Sequence, residues 1–217
     1  MLSNKALSAA SVPAFTAIED VFSTWLYTGT GASQTITNGI DLAGEGGLVW
    51  QKNRVNGAYD HNLFDTARGV TKKLITNGTF GNITETTYLT AFNSNGFSMG
   101  SDAGYNKLNE AHVSWTFRQA PRFFDVVTYT GTGANRTIAH DLGVVPGCII
   151  VKRTDTTSDW QVYHRSNANT EYMVLNTTAA KATGTTRWNS TTPTSTVFSL
   201  GTDTTVNASG GTYVAYL

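Results

Sequence analysis

Charge is scarce in this sequence of 217 residues: Asp, Glu, Lys and Arg make up 14% of it, against about 25% in an average globular chain. The 15 basic and 15 acidic residues cancel, which leaves no electrostatic footprint for nucleic acid or for an anionic membrane. Cysteine is nearly absent, with Cys148 alone, so an intrachain disulfide framework is excluded and a reducing cytoplasm is the expected folding compartment. No apolar run nears the roughly 18 residues of a membrane-spanning helix, so no membrane insertion is expected. The opening stretch "MLSNKALSAASVPAFTA" has one cation, Lys5, and no apolar centre; it does not read as a secretory signal. Sustained helical periodicity is missing too. Only "SNKALSAAS" could hold a helical turn.

What the sequence has instead is Thr, Asn, Ser and Gly, residues of strands and turns, and a repeat. "WLYTGTGASQTI" and "VTYTGTGANRTI" place Tyr27 and Tyr129 102 positions apart. The echo continues: Lys52 with Lys152, Phe64 with Tyr163, Leu74 with Leu175, Asn106 with Asn207, Trp115 with Tyr216, at offsets of 99 to 102. "NGFSMGSD" and "TVFSLGTD" align 101 positions apart. Two tandem copies of one module are expected, over residues 20–122 and 123–217, behind an arm of residues 1–19.

Within each copy, "VFSTWLYTG" and "FFDVVTYTG" alternate apolar and polar residues before a Gly-rich turn, the mark of a half-buried strand. "GGLVWQKN" and "GCIIVKRT" are apolar runs suited to a central strand. Asn38-Gly39, Asn77-Gly78 and Asn95-Gly96 mark turns. Seven or eight short strands per copy argue an all-β fold: two tandem β-sandwich modules with either jelly-roll or immunoglobulin-like wiring.

No catalytic centre is expected. "TGTGA" lacks the spacing and following helix of a phosphate loop, so its Thr hydroxyls and glycines are read as turn chemistry. His61, His112, His140 and His164 show no metal spacing, and His61 and His164, at similar positions in the two copies, suggest shared packing. Asp60, Asp65, Glu110 and Glu171 could in principle meet as an acid–base couple for glycoside cleavage, but the separation this needs is not fixed by sequence. Asp102 with Asn106, and Asp203 with Asn207, could offer oxygens to calcium; an Asx turn closing a hairpin is the preferred reading. No cofactor and no metal is expected. Tyr105, Trp160 and Trp188 stand in polar surroundings, where exposed rings would serve protein contact or stack on a glycan.

The phrases "YTGTGA-x-x-TI", "VKRT-x(5)-W-x-VYHR", "LTAFNSNGFSMGSD" and "WNSTTPTSTVFSLG" closely resemble a repeat module of virion structural proteins in marine bacteriophages, cyanophages and pelagiphages among them. The start "MLSNKALSAAS" is similar to the N-termini of those proteins, and the likeness spans essentially the whole chain. It implies a non-enzymatic, tail-fibre-like virion component assembled in the host cytoplasm, with other virion proteins as partners and homo-oligomers common. A capsid decoration protein and a lectin-like module binding a host surface glycan are the alternatives. The N-terminal arm is the expected attachment element, with Leu2, Pro13, Phe15 and Ile18 as its apolar anchors. Those relatives continue into further modules where this sequence ends at "TYVAYL".

Overall fold

The computed structural model describes residues 17–217. The first half runs through β1 (Phe22–Thr28), β2 (Gln34–Thr37), β3 (Gly47–Asn53), β4 (Asn62–Asp65), β5 (Lys72–Ile75), β6 (Ile83–Thr84), β7 (Leu89–Asn93), β8 (Gly96–Met99) and β9 (Ala111–Arg118). The second runs through β10 (Val126–Thr130), β11 (Arg136–Ala139), β12 (Cys148–Arg153), β13 (Gln161–His164), β14 (Glu171–Val174), β15 (Ala182–Thr183), β16 (Val197–Leu200) and β17 (Thr212–Tyr216). The large sheets have the orders β1-β9-β3-β4-β5-β6 and β10-β17-β12-β13-β14-β15, the same arrangement twice. Each is backed by a smaller sheet, β2-β8-β7 in the first half and β11-β16 in the second.

The wiring is nested. In each half the first strand pairs with the last, and the second with the last but one. That is the jelly-roll way of opening and closing a sandwich, continued here by a meander from β3 to β6. Immunoglobulin-like wiring, the other arrangement open to the sequence, is set aside.

The repeated Tyr-Thr-Gly-Thr-Gly-Ala phrase is explained by one buried asparagine per half. Asn106 accepts from the Thr30 amide at 2.9 Å and donates to the Gly100 and Ala32 carbonyls. Asn207 repeats all three bonds with Thr132, Gly201 and Ala134. A Cβ on Gly29 would sit 2.2 Å from the Lys107 oxygen, and one on Gly131 2.2 Å from the Ala208 oxygen, so the phrase needs glycine there. The Thr30 and Thr132 hydroxyls bond the backbone of Ala32 and Ala134. Both tyrosines donate into the same corner, Tyr27 to Tyr105 O and Tyr129 to Val206 O.

Two sandwich cores follow, one around Ile36, Phe64, Phe97 and Tyr105, the other around Ile138, Tyr163, Trp188 and Phe198. A third cluster joins them. Leu48, Leu63 and Leu74 of the first large sheet meet Phe124, Val126, Trp160, Val214 and Tyr216 of the second. The large sheets therefore pack on each other through their outer faces. This accounts for β3, buried along nearly its whole length: an antiparallel strand alternates when one face is wet, and here neither is.

Candidate functional site

The seam between the two large sheets holds the chemistry of interest. Trp160 lies immediately before β13, where its amide is fixed by Asn176 Oδ1 at 2.9 Å. Asn176 is itself held by Asp159 at 2.8 Å. The indole crosses the seam, and its Nε1 donates to the carbonyls of Ile75 and Gly78 at 3.0 and 3.1 Å. Backbone bonds lock the same side, Ser158 N to Thr79 O and Asn82 N to Thr154 O, both 2.8 Å. Lys152 is fully buried there and donates to Thr79 O and Ser158 O. Burial lowers its ammonium to about 8. Deeper in the seam the Tyr216 hydroxyl donates to Asp65 at 2.6 Å, and Arg68 completes the cluster, also at 2.6 Å.

The first half carries the same hairpin, with a different ring on it. Asn77 Oδ1 accepts from the His61 amide at 2.8 Å and Asn77 donates to Asp60 at 3.0 Å. His61 is thus the counterpart of Trp160, 99 positions earlier, and not of His164 as the sequence comparison suggests. Leu74, which pairs with Leu63, likewise matches Met173, which pairs with Val162, rather than Leu175. His61 faces Leu175–Thr178, which overlaps Val174–Thr177, the turn of the second half that corresponds to the Trp160 socket. There the seam stays open. A groove of about 620 Å³ is lined by Trp50, His61, Thr76 and the 175–178 turn. A second, apolar cavity of about 250 Å³ lies behind it, shares Trp50 and Leu175, and reaches Cys148. Burial raises the Cys148 thiol. Burial, then the charge of Lys52, lowers the His61 imidazole.

The aromatic contact residues expected from sequence are corrected. Tyr105 and Trp160 have no exposed surface and Trp188 has 2%. Tyr105 packs edge-on to Phe64 and Tyr88 in the first core. Trp188 meets Tyr163 edge-on in the second. Gly201 N bonds Arg187 O as Gly100 N bonds Tyr88 O, so Trp188 fills the place that Leu89 fills in the first half. None of the three offers a free ring face. Of the arm anchors, Ile18 is 58% exposed, while Leu2, Pro13 and Phe15 lie outside the described residues.

The remaining candidates are engaged structurally. Asp102 and Asp203 cap short helical turns through Gly104 N and Thr205 N, and the two asparagines beside them clamp the glycine phrase. Asp60 holds Asn77, Glu110 binds Asn53 and Lys107, and Glu171 binds Lys181. Among the described residues, no group of three or more His, Cys, Asp or Glu could hold a metal ion. His112 is fully buried and stacks on Tyr27 at 5.1 Å, with both ring nitrogens unpartnered. His140 bonds the Thr194 carbonyl at 3.3 Å.

Sequence reasoning passed over the groove residues. A signal was there: "DHNLF" aligned on "DWQVY" puts His61 opposite Trp160. A family described as "Domain of unknown function (DUF7483)" matches residues 18–217, and the chain belongs to that family. No curated protein and no solved structure matches it.

Proposed function

We propose that this member of the DUF7483 family is a non-enzymatic structural component of a bacteriophage particle, a tail fibre or tail-associated appendage docked through its N-terminal segment. Support comes first from the phrases shared with phage virion modules. The observation that carries the reading is the seam. Trp160, the Tyr216–Asp65–Arg68 cluster and two backbone bonds tie the modules sheet to sheet, so the pair behaves as one stiff unit rather than two beads on a linker. Stiffness is what a part that spans and presents needs. Exposed Ile18 stands at the foot of β1, where the N-terminal segment joins this body.

Quantitative mass spectrometry of purified particles tests the proposal. A few dozen copies or fewer per particle fit a tail part, and hundreds fit a capsid decoration protein. Complete absence from particles refutes both. Deleting residues 1–17 is expected to leave folded, soluble modules that no longer enter the particle.

A further inference from the structure

We infer that the open groove between the modules is a binding site for a neutral sugar ring, seated where the second half has a Trp160 socket with no indole in it. The seam is reciprocal. On one side, the residue at the head of the β13 hairpin inserts a flat ring into the Ile75–Gly78 turn and hydrogen-bonds two main-chain carbonyls. On the other, the corresponding turn spans Val174–Thr177, and the facing residue is His61. Imidazole is smaller than indole and does not reach in the same way. Among the described residues no side chain donates to the Val174 or Thr177 carbonyl, the two that correspond to the acceptors of Trp160.

The lining states the ligand class. Trp50 forms the aromatic wall, edge-on to His61 and Trp115 at 6.4 and 6.2 Å. An indole face takes the C–H face of a pyranose as it takes any apolar ring surface. Its Nε1 is sealed from solvent and finds no acceptor within the protein, so the ring contributes apolar surface rather than a donor. Thr76, Thr177 and Thr178 add hydroxyls, and every lining residue is neutral or a histidine whose charged form is disfavoured. Asn77 and Asn176 have their amides committed to the hairpins, so they shape the wall rather than read the ligand. A phosphate or carboxylate finds no cation on this lining. A groove of about 620 Å³ is in the range of small-molecule sites, roughly 300–1,000 Å³.

The full chain is titrated with methyl glucoside, methyl galactoside, methyl mannoside, N-acetylglucosamine and their short β- and α-linked oligomers, with adenosine as a ring control. Readouts are intrinsic tryptophan fluorescence and calorimetry. At least one saccharide is expected to give saturable binding. His61→Trp, which supplies the missing indole, should weaken that binding about tenfold or more while the melting temperature holds or rises. Should His61→Trp fold poorly, Thr177→Trp serves as a second plug with the same expected loss. No saccharide bound, adenosine bound in their place, or saccharide binding untouched by both plugs overturns the inference. The measurement uses purified protein, so its outcome is separate from whether the chain is found in particles.

Discussion

The two modules share a backbone plan and differ in what they put inside it. On the inner face of the first large sheet, Gln51 sits opposite Ser114 and Asn53 opposite His112. At the same places the second module pairs Val151 with Ala215 and Arg153 with Tyr213. All four residues of the first set are buried, and Gln51 Oε1, Ser114 Oγ and both His112 nitrogens lack partners. In the second module, Tyr213 uses its hydroxyl to accept from Ala208 N at 2.7 Å and to donate to Thr204 O at 2.8 Å. A buried polar group without a partner costs about 1–3 kcal/mol. The fold tolerates either interior, and the first module's carries more unpartnered polar atoms than the second's.

The comparison is broken most severely at Trp160. Trp160→Ala removes a fully buried indole and both of its cross-seam bonds, and should cost about 3–5 kcal/mol, read as a lower midpoint in denaturant. It should also expose the first module selectively, so that hydrogen exchange in β3 and β4 rises more than in β12 and β13. Next come the clamps. Asn106→Ala and Asn207→Ala each delete three matched bonds, and each should cost about 2–3 kcal/mol. Near-equal losses in thermal unfolding would establish that the duplication extends to energetics, and a gap beyond about 1 kcal/mol would show that the interior changes what its clamp is worth.

Transplanting the second module's solution is the smaller and sharper change. His112→Tyr offers a hydroxyl to Ala103 O and Lys107 N, the counterparts of the Tyr213 partners, and should stabilise by about 1–2 kcal/mol. Tyr213→His should do the reverse. The pH dependence follows from the same residue. Burial depresses the His112 imidazole, with the Lys107 backbone and then the charge of Glu110 opposing only in part. Below about pH 6.5 the unfolded chain takes up a proton that the folded module refuses. The stability from neutral His112 is therefore full above that pH and is lost as pH falls, by at most about 1.4 kcal/mol per pH unit. His61 is shifted the same way, so chemical unfolding of His112→Tyr between pH 7 and 5 should show a shallower slope, not a flat line.

Much of this plan was legible in the residues. The duplicated Tyr-Thr-Gly-Thr-Gly-Ala phrase, with Asn106 and Asn207 echoing it downstream, announced two equivalent corners, because glycine and a buried clamp leave few alternatives. The aromatic sites were not legible, and the reason is physical. Trp160 follows Ser158 and Asp159, and Trp188 precedes Asn189 and Ser190, so both look solvated from their neighbours. Burial, though, is set by what a segment packs against in space and not by its neighbours in the sequence. The Trp160 indole is satisfied by a carbonyl 85 residues away, in the other module, a contact that no local window contains. The same blindness hid the groove, which exists only because two distant turns face each other with unequal rings.

The nested pairing of β1 with β9 and β10 with β17 has a consequence for how the protein emerges from the ribosome. β1 and β3 are joined only through β9, so the first sheet has no centre until residue 118 has been made. Its outer leucines, Leu48, Leu63 and Leu74, then wait uncovered while the next hundred or so residues follow, on the order of 5–20 s at ordinary elongation rates. Nascent chains paused in that interval are the form most prone to aggregate, and a chaperone that shields a flat leucine surface would raise the yield of native protein.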